Sequence, residues 1–433
     1  MIRRLLRLFP PGTLPVGTGL ALVGLASYVH LALAGHHLDA AGYSSLSVLW
    51  SVAFTLGIGV FFPVEQEVAR LVAARRVSGH PPGPVLARGA AVTAALLGLL
   101  LLLVTSTAGI LADRLFDGDR TMVAALAGAL AAMAVAHTTR GVLSGLRRFR
   151  CYGTQLGLDG GLRMTLVAAL AAAGVDSPVA YALVLAIAPL VAVALTAAPV
   201  VRATGTGPAA PWAPLLRGLA LLIASSLLAQ VVVNVGVINA RLLEPSDVAT
   251  AGALLSALVL ARIPLFVFGS MQAALLPGLS AAAAVGDETA FGHLLRRSLA
   301  VVTALGTVGG VLAVLLGPWL VTVLFDAPDV LGHGDFAWLS LATLAYLWAM
   351  VLGQALLARD RHHVQAVAWT VGIAALSAAT LAPLPVTLRV ELAYTVGSLV
   401  AAAVMVAPLA RRRRTGPAGP AATRVPATTT GGP

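Results

Sequence analysis

One stretch of this chain occurs twice. Residues 38–52 read LDAAGYSSLSVLWSV and residues 243–257 read LEPSDVATAGALLSA, with Leu38 on Leu243, Asp39 on Glu244 and Ser51 on Ser256. Leu86 and Arg88 then fall on Leu294 and Arg296, and Leu115-Phe116-Asp117 falls on Leu324-Phe325-Asp326. The offset drifts only from 205 to 209, which small loop insertions explain. The chain therefore reads as an internal duplication of roughly 200 residues per copy, and any fold proposed for it must be built twice.

What is duplicated is a set of membrane spans. Apolar stretches of about 20 residues, enough to cross a hydrocarbon core of ~30 Å, recur near 14–34, 43–66, 88–111, 121–145, 154–174, 179–201, 215–239, 249–276, 294–316, 336–357, 364–382 and 390–409. Hydrophobic residues make up 59% of the chain and charged residues only 10%, against about 25% charged in a soluble domain. Lipid offers no partner to free backbone groups, so each span must be helical. The fold class expected is all-α and polytopic: twelve transmembrane helices in two six-helix lobes. Six is an even number, so the lobes insert with the same orientation, as parallel repeats.

The net charge of +11 invites a nucleic-acid reading, but its distribution argues for a membrane one. By this segmentation Arg75, Arg76, Arg140, Arg147, Arg148, Arg202, Arg217, Arg296, Arg297, Arg359 and Arg361 fall on one side. Asp39, Asp113, Asp117, Asp119, Asp176, Glu244, Asp247, Asp326, Asp329, Asp335 and Glu391 fall on the other. That is the positive-inside pattern, with both termini cytoplasmic. The basic excess orients the protein and meets anionic lipid. All 28 basic residues are arginine, which removes a P-loop lysine or a Schiff-base lysine. Cys151 is the only cysteine, so there is neither a disulfide nor a cysteine zinc site. The bias toward Ala, Gly, Pro and Arg fits a GC-rich bacterial genome.

The divisions expected are an N-terminal segment 1–13, a first lobe 14–204, a linker 205–211, a second lobe 212–410, and a basic, then unstructured tail 411–433. The tail has no apolar periodicity. MIRRLLRLF and the apolar run after it mimic a signal peptide, but the first span has a counterpart at 215–239. The loops are short, so chemistry must take place inside the bundle or at its mouths.

Ionisable groups inside spans cost several kcal/mol or more unless paired or wet, about 2.5–3.5 at the bilayer centre on insertion scales. Arg262 lies halfway along span eight, too far from either end to snorkel easily. Its functional reading is a cavity arginine awaiting a phosphate or carboxylate; its structural reading is bonding to a neighbouring helix. Asp159 and Arg163 in span five are spaced i, i+4 and can pair on one helix face, either as a self-neutralised couple or as an anion or proton site. Gly157, Gly160 and Gly161 beside them permit close packing or local unwinding. In span two, Pro63 can kink the helix one turn before Glu65, Gln66 and Glu67, with Glu67 and Arg70 at pairing distance. Gln230, Asn234 and Asn239 in span seven and Gln272 in span eight offer amides, as cavity lining or as interhelical glue. His30 and His137 read as structural. Asp117-Gly118-Asp119 resembles a metal-holding D-x-D string but sits among acidic loops. No metal site, cofactor or catalytic group is expected.

The run RLLEPSDVATAGALLSALVLARIPLFVFGSMQAALLPGLSAAAAVGDETAFGHLLRRSLAVV resembles the second-lobe entry of the multidrug/oligosaccharidyl-lipid/polysaccharide (MOP) flippase superfamily. RGVLSGLRRFRCYG looks like its connection from span four to five, and WSVAFTLGIGVFFPVEQEVAR like its span two. Within the superfamily the chain is most similar to bacterial polysaccharide and O-antigen-type exporters. The resemblance implies two bundles around a V-shaped cavity lined by spans one, two, seven and eight, where Arg262, Asn234, Gln272, Glu65 and Gln66 lie. Asp159 and Arg163 do not obviously reach those helices. It also implies alternating access in the bacterial cytoplasmic membrane, moving a polyprenyl-diphosphate oligosaccharide from the cytoplasmic to the outer leaflet without covalent change, alongside glycosyltransferases or a polymerase of the same pathway. Three alternatives stay open: a small-molecule cation antiporter of the same fold, a non-transporting scaffold of envelope assembly, and a membrane glycosyltransferase.

Overall fold

A computed structural model describes the backbone of residues 13–410 except 204, 210, 217, 245, 246, 262 and 360, and the side chains of most of these. The described residues are almost entirely helical. In the first half run α1 (Thr13–His37), α2 (Ala40–Val77), α3 (Gly83–Ser106), α4 (Arg120–Gly145), α5 (Phe149–Ala172) and α6 (Pro178–Thr196). In the second run α7 (Leu219–Leu243), α8 (Val248–Ala261), α9 (Ile263–Ala284), α10 (Glu288–Phe325), α11 (His333–Ala358), α12 (His362–Thr380) and α13 (Val386–Ala410). Among the described residues, nine helices are long and apolar enough to span a membrane. The other three expected spans are α5, whose charges lower its hydropathy, the path α8–α9, between which position 262 lies outside the described residues, and the 19-residue α12.

Short polar caps set the helix starts. Asp39 accepts from the Gly42 N–H at 2.7 Å to open α2, Asp119 from Thr121 at 2.7 Å to open α4, and Asp287 from Ala290 at 2.8 Å to open α10. Each satisfies a backbone donor that the helix leaves free. The repeat returns in the backbone. Asp117 and Asp326 both adopt positive φ, 51° and 48°, directly after a buried phenylalanine. Asp39 and Asp247 occupy matching caps, Asp247 accepting from Thr250 N–H at 3.1 Å, so in the structure the cap of the second half lies three residues past Glu244, with which the sequence aligns Asp39. The two helices α3 and α10, third spans of their halves, are those most open to lipid; α2, α4 and α11 are the most enclosed.

Each half packs chiefly on itself: α1 on α5, α2 on α4, and α13 on both α11 and α12. Gly153 and Gly160 let α5 approach the Pro15 and Leu22 carbonyls of α1 so closely that a Cβ would clash. The halves meet mainly where α2 runs along α7. Helix alternation gathers most arginines at one end of the bundle and most acids at the other, with Arg114, Arg120, Arg241 and Arg389 at the acidic end. At the acidic end the halves touch through a Tyr43–Ser256 hydrogen bond of 2.7 Å, a Tyr28 hydroxyl donating to the Val259 carbonyl at 3.0 Å, and an Arg241–Asp117 ion pair. Gly35 of α1 lies directly against the Phe325 carbonyl. The Asp117-Gly118-Asp119 string is thus spent on an inter-half contact and a helix cap.

The arginine asymmetry has a direct test. In a Cys151→Ser background, single cysteines at 117, 176 and 329 are expected to react with an impermeant thiol reagent from outside the cell, and cysteines at 75, 148 and 297 only after permeabilisation. Outside labelling at 297 would break the parallel arrangement of the two halves.

Candidate functional site

A cavity of about 400 Å³ lies between the halves. From the first half it takes residues of α1, α2, α4, α5 and α6; from the second, residues of α7, α9, α11 and α12. Its charged groups all come from the first half. Glu65 of α2 is buried and accepts two hydrogen bonds, from the His137 ring at 2.7 Å and the Tyr152 hydroxyl at 2.6 Å. Asp159 of α5, 4% exposed, lies between two guanidinium groups: Arg163 at 3.1 Å and Arg140 at 3.0 Å. One carboxylate therefore serves two arginines, so this triad is positively charged.

The arginines keep spare donors. Arg163 Nε and Nη1 and Arg140 Nε are buried and have no hydrogen-bond partner among the described residues. Left so, each costs about 1–3 kcal/mol of desolvation, and more because the group is charged. Arg163 also sits over the Trp50 ring, 5.9 Å from its centroid, which holds its plane. Buried guanidinium groups with idle N–H donors are built to receive an anion with several oxygens.

The second half supplies neutral groups: Ser225, Ser226, Gln230, Tyr346, Gln354, Gln365 and Trp369. Gln354 Oε1, Gln365 Oε1 and Trp369 Nε1 are buried without a partner among the described residues. The Trp369 ring packs on Tyr346 at 5.5 Å between centroids. Idle amide and indole groups beside aromatic faces suit a ligand rich in hydroxyls.

Of the residues expected from the sequence, Glu65 and Gln66 line the cavity. Asp159 and Arg163 form the i, i+4 pair and also line it, although the resemblance had not brought them there. Asn234 is buried but is not among the lining residues; its amide donates to the Gln230 carbonyl at 3.0 Å and to Gln230 Oε1 at 3.1 Å. Arg262 lies outside the described residues, as does the side chain of Gln272, whose backbone is in α9. Sequence reasoning missed Arg140, taken as an end-of-span charge, and His137 and Tyr152. The signal was available: two intramembrane acids, Glu65 and Asp159, each needed donors, and His137 and Arg140 lie one turn apart on the fourth span. No described group of three or more His, Cys, Asp or Glu residues could hold a metal.

No protein-family model matches the chain. The uncharacterized proteins Rv1510 and Rv3630 of Mycobacterium tuberculosis (strain ATCC 25618 / H37Rv) are 27% and 26% identical to it over 413 and 414 residues. Each match covers 92% of this chain and 91% of the relative. Among solved structures, an inward-facing multidrug resistance MATE family transporter of the MOP superfamily superposes with a TM-score of 0.71 at 12% identity, over 91% of this chain and 94% of that one. A MOP superfamily transporter from Pyrococcus furiosus, whose reverse polarity of binding pocket is described as suggesting a different function, gives a TM-score of 0.70 at 14% identity, over 92% and 93%. The chain has the fold of MOP superfamily transporters.

Proposed function

We propose that this protein is a flippase of the bacterial cytoplasmic membrane, carrying a lipid-linked oligosaccharide from the cytoplasmic to the outer leaflet by alternating access. The observation that carries the reading is the Arg140–Asp159–Arg163 triad, with one carboxylate for two guanidinium groups and three buried, idle N–H-bearing nitrogens beside the cavity. A polyprenyl diphosphate supplies the missing acceptors. Its sugars meet the neutral amides and aromatic rings of the second half, and its hydrocarbon tail stays in lipid. The lobes, residues 14–204 and 212–410, rock about this site, and the Arg241–Asp117, Tyr43–Ser256 and Gly35–Phe325 contacts are the closed outer gate. No covalent bond changes, and no cofactor takes part.

A cation antiporter needs a carboxylate free for its cargo. Both carboxylates lining this cavity are engaged, Glu65 by His137 and Tyr152, and Asp159 by two arginines.

The test is reconstitution in liposomes containing a short-chain polyprenyl diphosphate trisaccharide, with lectin capture reporting the outer leaflet. Wild-type protein is expected to move it, and Arg163→Gln to lower the rate about 10- to 150-fold, from the loss of charged hydrogen bonds worth about 1.5–3 kcal/mol. Transport of tetraphenylphosphonium instead, unaffected by Arg163→Gln, would overturn the reading.

A further inference from the structure

A second hollow, of about 740 Å³, opens at the arginine-rich end of the first half, lined by other residues than the central cavity. Four arginines converge on it: Arg76 from the end of α2, Arg147 and Arg148 from the α4–α5 connection, and Arg202 from the segment after α6. Arg76 donates to the Leu146 carbonyl at 2.7 Å. Among the described residues none of the four has a carboxylate within ion-pair reach. Exposed like charges so gathered repel one another unless an anion joins them.

The duplication provides an internal control. With Gly141 on Gly353, Arg147 falls on Arg359 and Arg148 on Asp360. In the second half Arg359 is neutralised by Glu288 at 2.5 Å and rests 4.2 Å from the Phe291 ring centroid. The first half has no acid anywhere from Ser78 to Arg88, the stretch that corresponds to the one bearing Glu288. So the same turn is charge-balanced by the chain in one copy and left unbalanced in the other. Orienting the protein in the membrane requires arginines on this side; it does not require them to face one hollow.

The backbone adds to this. Arg147 adopts φ +58°, the left-handed region that favours glycine, at a cost of about 1–2 kcal/mol. It closes α4, where glycine is the usual residue. A guanidinium is held there in place of the residue that would relieve the strain. Arg148 begins α5 without a side-chain cap, so the first N–H groups of that helix add their partial positive charge beside Phe149, which lines the hollow.

We infer that this hollow is a binding site for a phosphate-bearing anion with at least two negative charges, separate from the central cavity and independent of what that cavity carries. Acidic phospholipid headgroups, cardiolipin above all, have this chemistry at the level of the arginine ring; free pyrophosphate shares it.

The experiment uses the full chain in neutral detergent and reads its melting midpoint with cardiolipin, phosphatidylcholine or inorganic pyrophosphate added. Cardiolipin is expected to raise the midpoint by ~3 °C or more, and phosphatidylcholine to leave it unchanged. Arg147→Gln with Arg148→Gln should remove the shift. Arg296→Gln with Arg297→Gln, which takes the same charge from the same end of the second half, should retain it. If the first pair does not fold, Arg202→Gln alone is expected to weaken the apparent cardiolipin affinity about tenfold. A shift with pyrophosphate, lost in the same variants, assigns the site to a soluble phosphate; a shift with cardiolipin only assigns it to lipid. Equal loss in both double variants, or no shift with either probe, overturns the inference.

Discussion

Asp159→Ala is expected to cost the bundle about 3–5 kcal/mol, far more than removal of either arginine it serves. Asp159 is the acceptor for Arg140 and Arg163 together; Asp159 and Arg163 are buried, and the Arg140 side chain is 11% exposed. Without the carboxylate, two guanidinium groups face each other in a low dielectric with nothing between them. Arg140→Met or Arg163→Met leaves the other pair intact and should cost much less, while lowering transport. Asp159→Asn, which keeps an acceptor oxygen but not the charge, should fall between. Asp159→Leu with Arg140→Leu and Arg163→Leu should return close to wild-type stability, since exchange of a whole buried ionic cluster for apolar groups is often neutral, yet be dead in transport. Unfolding free energies in mixed micelles check the series. An Asp159→Ala protein as stable as wild type would mean that the triad is not buried as described.

The second large effect is expected at Gly35. A Cβ at this position would overlap the Phe325 carbonyl oxygen, and the obstacle is backbone that cannot rotate aside. Overpacking costs about 1–3 kcal/mol, which as a bias between two arrangements is about 5- to 150-fold. Gly35→Val should therefore hold the halves apart at the acidic end and stall transport by more than ~10-fold. The measurement is the distance between spin labels at 114 and 244, in a Cys151→Ser background. The Gly35→Val protein should lose the short-distance population; Gly98→Val, where no atom lies within 4 Å of a built Cβ, should keep it. Matching distance distributions for Gly35→Val and wild type would remove this contact from any gating role.

Most of the architecture was legible because lipid leaves the chain so few choices. A span must be helical, its length is fixed by the bilayer, and arginine counts orient it, so the expected spans and the helices differ mainly at their ends. The difference at α2 is instructive: the apolar run stops near 66, but the helix continues to Val77, because Glu67 and Arg70 pair along it and a helix does not have to end where the membrane does. The site was legible only in part. Glu65 stood out because an acid in a span demands a reason. Asp159 and Arg163 could be matched by spacing alone, but which way that face of α5 turns depends on its close packing against α1 through Gly153 and Gly160, and no local pattern encodes this. Asn234 bonds one turn back to Gln230, which lines the cavity. Arg140 was hidden by its address, being close enough to a run of terminal arginines to be counted with them.

The confinement of charge to one wall has a kinetic corollary. Glu65, His137, Tyr152, Arg140, Asp159 and Arg163 find their partners within the first half. Displacing one half against the other therefore tears no buried ionic contact in the cavity. The Arg241–Asp117 bridge does span the halves; Arg241 is buried there but Asp117 is half exposed, so water reaches the carboxylate as the two groups separate. The described contacts that such a displacement breaks thus include apolar packing, two neutral hydrogen bonds and the Arg88–Trp212 cation–π contact at 4.6 Å, and the activation barrier should respond weakly to ionic strength.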